Sequence, residues 1–200
     1  MIDRIHPWPA ILVFLALVYS ATACGEEPHV FVGVRQAGDV FTVDATIDAP
    51  VTMKTAWEVL IDFDHMAAIL NDLTTSKVIS REGNILIVKQ EGLARYGLLS
   101  FPFQSEREVR IEPMKRILSR NLSGTARRME SEAELSQTDP GQSVQIRYRA
   151  EIVPDSMLAR MFGASFLRHE IEEQFQSMLA EMKKRESYLI SALQTPKSNN

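Results

Sequence analysis

Cysteine is almost absent. Cys24 is the only one in 200 residues, so no disulfide forms within the chain. Charge of one sign is missing too. The net charge is -4, and the arginines sit among glutamates rather than in a basic block, so nothing points to a nucleic-acid partner. No apolar run reaches the ~20 residues that a membrane span needs. There is no H-E-x-x-H, no G-x-S-x-G, no P-loop and no dinucleotide fingerprint, so no metal, no cofactor and no catalytic set is expected. His169 and Glu173 are four apart on one helix, but two ligands without a third make a surface pair, not a metal site. What is present is ordinary for one globular domain: 45% hydrophobic and 24% charged residues, enough for a core.

The N-terminus differs from the rest. "MIDRIHPWPAILVFLALVYSATACGEE" has Arg4 near its start, an apolar run from Ala10 to Tyr19, and small residues from Ser20 to Ala23. With an A-x-A step at Ala21-Thr22-Ala23, this predicts a secretory signal over residues 1–23. An uncleaved anchor is the alternative. Cys24 follows directly and resembles the cysteine of the bacterial lipobox, which becomes the lipidated N-terminus. The departure is Ala21, where the lipobox usually has leucine. Simple cleavage to a soluble protein is the other outcome. Gly25 is not the aspartate that resembles an inner-membrane retention signal, so a lipidated chain is expected at the outer membrane. Either way the expected compartment is the periplasm.

Residues 24–38 read as a tether, 39–192 as one domain, and the tail 193–200 as disordered. Phe41, Val43, Ala45 and Ile47 alternate with polar residues in a strand that Pro50 ends. "VTMKTAWEVLIDFDHMAAILNDL" is helical, with Thr52 as N-cap and a break near Asp62 to Asp64 giving two short helices. A run of strands follows, with turns at Gly83-Asn84 and Asp139-Pro140-Gly141. A long helix, about residues 164–191, closes the chain. Its apolar stripe is Leu167, Ile171, Phe175, Met178 and Met182. Glu170, Glu172 and Glu173 read as its solvated face.

Charges order the strands. One face carries Glu106, Glu108 and Glu112, then Arg116 and Arg120, then Glu130, Glu132 and Glu134, then Arg147 and Arg149. Opposite charges attract across neighbouring strands, so these four strands pair in sequence order with that face in water. The other face is apolar and needs a cover, which only the last helix can supply. In "FQSEREVRIEP" that inner face also carries Ser105 and Arg107. A buried unpaired arginine is costly, so Arg107 must meet a ligand, pair with an internal carboxylate, or be turned outward by a bulge.

Three phrases carry a family resemblance. "VDATIDAPVTMKTAWEVLIDFDHM", "TTSKVISREGNILIVKQEG" and "IVPDSMLARMFGASFLRHEIEEQFQSMLAEMKKR" resemble the opening, second hairpin and closing segment of the SRPBCC or START-like superfamily. The nearest branch is its polyketide cyclase/dehydrase and lipid-transport group, which includes coenzyme Q-binding proteins. After "DFDHM" that family often has proline and an aromatic; here there is "AAIL". The resemblance implies an α+β helix-grip fold. A curved antiparallel sheet of six to seven strands wraps the C-terminal helix, with two short helices after the first strand and an apolar cavity between sheet and helix.

In such a cavity the candidate ligand-binding residues are Phe101, Phe103, Ser105 and Arg107 on one strand. Asn121, Met129, Ser131, Ile146 and Tyr148 follow on the next three, and Ile171, Phe175 and Met178 on the helix. Met157, Met161 and Met182 join Met129 and Met178 as adaptable lining or as ordinary packing. The expected function is binding or transport of a hydrophobic small molecule (a lipid, quinone or polycyclic compound) in the cell envelope, with membrane contact through the N-terminal anchor. The alternatives are a cyclase or dehydratase using Tyr148 or Arg107, and an interaction module whose core is filled by its own side chains.

Overall fold

The computed structural model describes residues 29–96, 99–139 and 141–194, with the backbone alone at 96, 99 and 156–162. The signal segment, Cys24, the side chains of Met157 and Met161, and residues 195–200 lie outside the described residues. Eight strands form one antiparallel sheet: β1 (His29–Ala37), β2 (Val40–Ala49), β3 (Leu73–Glu82), β4 (Ile85–Tyr96), β5 (Leu99–Glu112), β6 (Arg116–Gly124), β7 (Ala126–Asp139) and β8 (Ser143–Pro154). Their order is β1-β2-β8-β7-β6-β5-β4-β3. Between β2 and β3 lie α1 (Met53–Leu60), a 3₁₀ turn (Phe63–His65) and α2 (Met66–Ile69); α3 (Ser156–Gln194) ends the chain. This is the α+β helix-grip architecture, with one strand more than the expected six to seven.

The extra strand is β1, at residues read as a tether. Val30, Val32 and Val34 face the core while Phe31 and Arg35 face water. Gly33 and Gly38 mask that alternation in the sequence. The strand forms because β2 is long and regular: every second residue from Phe41 to Ala49 is buried, and β1 pairs with it from His29↔Asp48 to Ala37↔Val40.

The charge ladder is realised. Glu108 stands opposite Arg120 and Glu112 opposite Arg116. Arg120 faces Glu130 on β7, and Glu132 and Glu134 face Arg149 and Arg147 on β8. Arg120 binds Glu108 at 2.8 Å and Arg116 binds Glu112 at 2.6 Å. These pairs are solvated, so each adds only a few tenths of a kcal/mol; their larger role is to penalise a one-residue slip.

Helix α1 starts at Thr52, whose Oγ1 accepts from the Thr55 backbone N–H at 3.3 Å. Thr52 also donates from its own N–H and hydroxyl to Glu186 of α3, at 3.3 and 3.1 Å. One residue therefore caps α1 and clasps α3. Thr52→Ala is expected to lower stability by about 1 kcal/mol and Thr52→Ser to retain it, measured by urea unfolding.

Helix α3 is broken at Gly163, where φ is 60° and ψ is 176°. Such backbone is open to glycine almost alone. The break leaves a regular helix from residue 164 onward, as the sequence predicts, and sets its first turns over the sheet.

Candidate functional site

A cavity of about 380 Å³ lies between the inner sheet face and helices α1, α2 and α3. Alternation on the strands builds its wall. On β5 the odd residues point in, so Phe101, Phe103, Ser105 and Arg107 all line it. Asn121 of β6, Met129 and Ser131 of β7, and Tyr148 of β8 line it as well. Ile171, Phe175 and Met178 close it from α3, and the Phe175 ring meets Tyr148 edge-on at 5.1 Å. Ile146 is the exception among the candidates. It is 1% exposed in the core, opposite Ile47 and Leu135, and is not in the cavity wall. It lies two residues before Tyr148 on the same face, already beyond the cavity floor.

Close packing shapes one wall. A Cβ on Gly92 of β4 would stand 2.1 Å from the Asp72 carbonyl and 2.7 Å from the Phe103 ring. Only glycine lets the loop before β3 and the Phe103 ring meet there.

Arg107 is the unusual residue of the wall. A bulge does fall beside it, but on the partner strand. Arg107 pairs with Asn121 and Glu106 with Ser123, which leaves Leu122 as the extra residue, 44% exposed. Arg107 itself stays inward. Its Nη2 donates to Gln90 Oε1 at 2.5 Å, while its Nε is buried with no hydrogen-bond partner. Among the described residues no carboxylate pairs with it. Burial pulls the guanidinium down from its usual range, and the nearby Tyr148 phenol opposes that shift. Burial also pushes the Tyr148 phenol up, against a hydrogen bond with Ser131 and the Arg107 charge. Tyr148 is thus a neutral hydroxyl at pH 7.

Gln90 is held in place for Arg107. Its Nε2 donates to Ser76 Oγ at 3.0 Å, and Ser76 Oγ donates to the Phe63 carbonyl at 2.5 Å. This chain ties the polar side of the cavity to the 3₁₀ turn. The sequence pattern held the signal for Gln90, since Leu86, Val88 and Gln90 alternate onto the inner face. Ser119, opposite Ser131, is a further inward hydroxyl. Asn121 has another duty: its Nδ2 donates to the Ala126 carbonyl and its Oδ1 accepts from the Met129 N–H. Its amide is spent on the β6–β7 hairpin across the bulge.

Glu170 corrects the sequence reading. It is not on the solvated face but 7% exposed, on the cavity wall beside Asp72. Burial pushes its carboxyl up to about 7, helped by the Asp72 and Glu173 charges and a hydrogen bond with Asp72, with Arg95 opposing. Phe166 and Leu167, four and three residues earlier, carried the signal, because they put position 170 on the buried side. Asp72, Glu170 and Glu173 bring one oxygen each within 4.8 Å. Because Glu170 and Asp72 share a hydrogen bond, the cluster reads as a carboxyl–carboxylate pair with Glu173 at its exposed side. His169 and Glu173 form the expected surface pair at 3.6 Å.

The arrangement can enclose an apolar molecule and present one buried cation, one neutral phenol and several hydroxyls to its polar part. No protein-family model and no curated protein matches the chain. Solved structures do. The Zhui aromatase/cyclase from a Streptomyces species is 15% identical, covers 73% of this chain and 95% of its own, and has a TM-score of 0.60. A START superfamily protein from Mycobacterium smegmatis is 10% identical, with 74% and 98% coverage and a TM-score of 0.56. A STAR-related lipid transfer protein from Xanthomonas axonopodis is 11% identical, with 80% and 99% coverage and a TM-score of 0.56. At these identities the likeness is one of architecture: the chain shares the helix-grip fold of these solved structures.

Proposed function

We propose that this chain binds a hydrophobic small molecule in the cell envelope, and that Arg107 receives an anionic or strongly hydrogen-bond-accepting end group of that molecule. The buried Nε of Arg107 carries the reading. It is a donor without an acceptor, on a cation without a counter-ion among the described residues, in a cavity otherwise mostly apolar. Evolution rarely keeps so costly a group unless something fills its bonds. A cavity of about 380 Å³ falls within the range of small-molecule sites. An unfilled cavity speaks for a small-molecule binder over an interaction module filled by its own side chains. The N-terminal segment, read as a signal with Cys24 at its boundary, supports the envelope location.

A second reading has one observation of its own. Arg107 and Tyr148 converge in the cavity and interact electrostatically. A guanidinium that stabilises an enolate and a phenol that donates a proton would suit a cyclase or dehydratase. Solved proteins of the same fold include an aromatase/cyclase and a lipid transfer protein by name, so fold alone does not choose.

The head-group claim is tested with a dansyl-labelled fatty acid and the matching alcohol. Arg107→Ala is expected to weaken the acid by about tenfold or more and the alcohol little, whereas Arg110→Ala, on the outer face, changes neither. Equal loss in both variants would sink the assignment. Mass spectrometry of the native protein after organic extraction identifies the natural ligand. Turnover of an extracted precursor, lost in Tyr148→Phe, would decide for the enzyme.

A further inference from the structure

Helix α3 outruns the body of the domain. Near its end Arg185 binds Asp62 at 2.7 Å and Glu186 accepts from Thr52 at 3.1 Å. Every residue from Ser187 to Gln194 is exposed. Yet this overhang is not polar. Leu189 and Leu193 stand seven and eleven residues after the buried Met182, so they continue the stripe that packs the core, yet among the described residues they are 44% and 87% exposed. Tyr188 is 67% exposed, with Ile190 beside them. Ser187, Ser191, Lys183 and Lys184 occupy the other side. An apolar half backed by Lys183 suits a helix end that meets a lipid interface.

Its position in the fold supplies the partner. Thr52, which holds Glu186, is four residues past Asp48, and Asp48 pairs with His29. His29 is where residues 1–28 join the described domain, so that segment, with the apolar run Ala10 to Tyr19 and Cys24, joins at the end where α3 overhangs. From Cys24 to His29 the chain reaches at most about 17 Å. A membrane holding that segment, by span or by acyl chain, lies within reach of the overhang. Thr125, Pro154 and Gly163, which line the cavity, lie at the opposite end with the β1–β2 turn, where Arg127 binds Asp39 at 2.8 Å.

We infer that the last two turns of α3 are a membrane contact: Tyr188, Leu189, Ile190 and Leu193 enter the lipid interface beside the anchored N-terminus, and the end of the cavity lined by Thr125 and Pro154 points away from that membrane. This rests on the envelope reading of the N-terminal segment and is independent of the ligand. The domain then stands on its anchor with that end of the cavity toward the aqueous side. Lys183 adds attraction to anionic lipid, whereas Lys184 is held by Glu181 at 3.0 Å.

The test uses the full chain purified from its native envelope and placed in vesicles of phosphatidylethanolamine and phosphatidylglycerol doped with brominated lipid. Tryptophan is introduced as Leu193→Trp or, at the far end, as Gln36→Trp, and the parent emission is subtracted. Both sites are exposed, so neither change disturbs folding. Quenching about twofold or more stronger at 193 than at 36 is expected. Equal quenching, or a silent 193 on vesicle-bound protein, overturns the contact while leaving the anchor standing. Cross-linking through 193 between two copies would overturn it in favour of a dimer. A chain that does not bind vesicles at all overturns both the contact and the anchor, while the envelope reading stands, because simple cleavage also leaves the protein in the periplasm.

Discussion

Arg107→Met is expected to make the ligand-free domain more stable, by about 1–3 kcal/mol, and to abolish its stabilisation by an acidic ligand. The direction is the point. Most core substitutions destabilise, and an arginine that anchored the fold would cost several kcal/mol on removal. Arg107 anchors little. It makes one hydrogen bond, to Gln90, leaves Nε unpartnered, and has no counter-ion among the described residues. Methionine has similar length, keeps the packing of the aliphatic stem and removes the desolvated charge. Gln90 loses one partner but keeps Ser76, so the orphaned acceptor offsets only part of the gain. Thermal unfolding at pH 7 would show a rise of roughly 2–4 °C per kcal/mol for a domain of this size. A titration with the dansyl-labelled fatty acid would then raise the midpoint of the parent and not of the variant. A fall in stability on Arg107→Met would mean that the guanidinium is structural, and the head-group assignment would go with it.

Sequence patterns revealed the sheet wherever two signals agreed. For β5 to β8, alternation and cross-strand charge both specified the neighbours, and the pairing follows them. The Thr52 cap and the break before Phe63 were legible for the same reason, because local chemistry and hydrophobic spacing coincide there. β1 was not legible. Its valines alternate, but two glycines and an outward Phe31 hide them, and its reason to be a strand is the free edge of β2, which is a tertiary fact. The site divides in the same way. Arg107 stood out as the wrong residue on an apolar face, which one strand can display by itself. What meets it could not be read: Gln90 comes from the next hairpin and is aimed by Ser76 through the 3₁₀ turn. Glu170 was misplaced because three glutamates in four residues look solvated, while the buried side of α3 is wider than its strict stripe at that turn. Ile146 failed for the opposite reason. Alternation gives the face of a strand but not the depth at which a cavity ends.

Glu170→Gln is expected to remove a pH dependence and to stabilise the domain at alkaline pH. The folded carboxyl titrates at about 7 against 4.5 for the ordinary group. The folded state therefore holds this proton more tightly than the unfolded chain does. Its contribution is fully present below about 4.5 and is lost as pH rises through about 7. At 1.36 kcal/mol per unit the loss is bounded near ~3 kcal/mol, and about 2 is the expected value, since Arg95 and water at the mouth screen the charge. Glutamine holds no proton to lose and can still donate to Asp72. At pH 5 parent and variant should unfold at nearly the same urea concentration; at pH 8 the variant should be more stable by about 2 kcal/mol. The groups around the site are Asp72 from the loop before β3, Arg95 from β4 and Glu173 from α3 itself. Ligand binding should follow the same proton. Glu170 and Arg107 line one cavity, so above pH 7 a new negative charge meets an acidic ligand there. The parent should lose affinity for the dansyl-labelled fatty acid between pH 6 and 8, and Glu170→Gln should bind with a flat profile. A parent profile already flat in both stability and affinity would show that Glu170 is ionised throughout, with the Asp72 hydrogen bond broken and the mouth open to water.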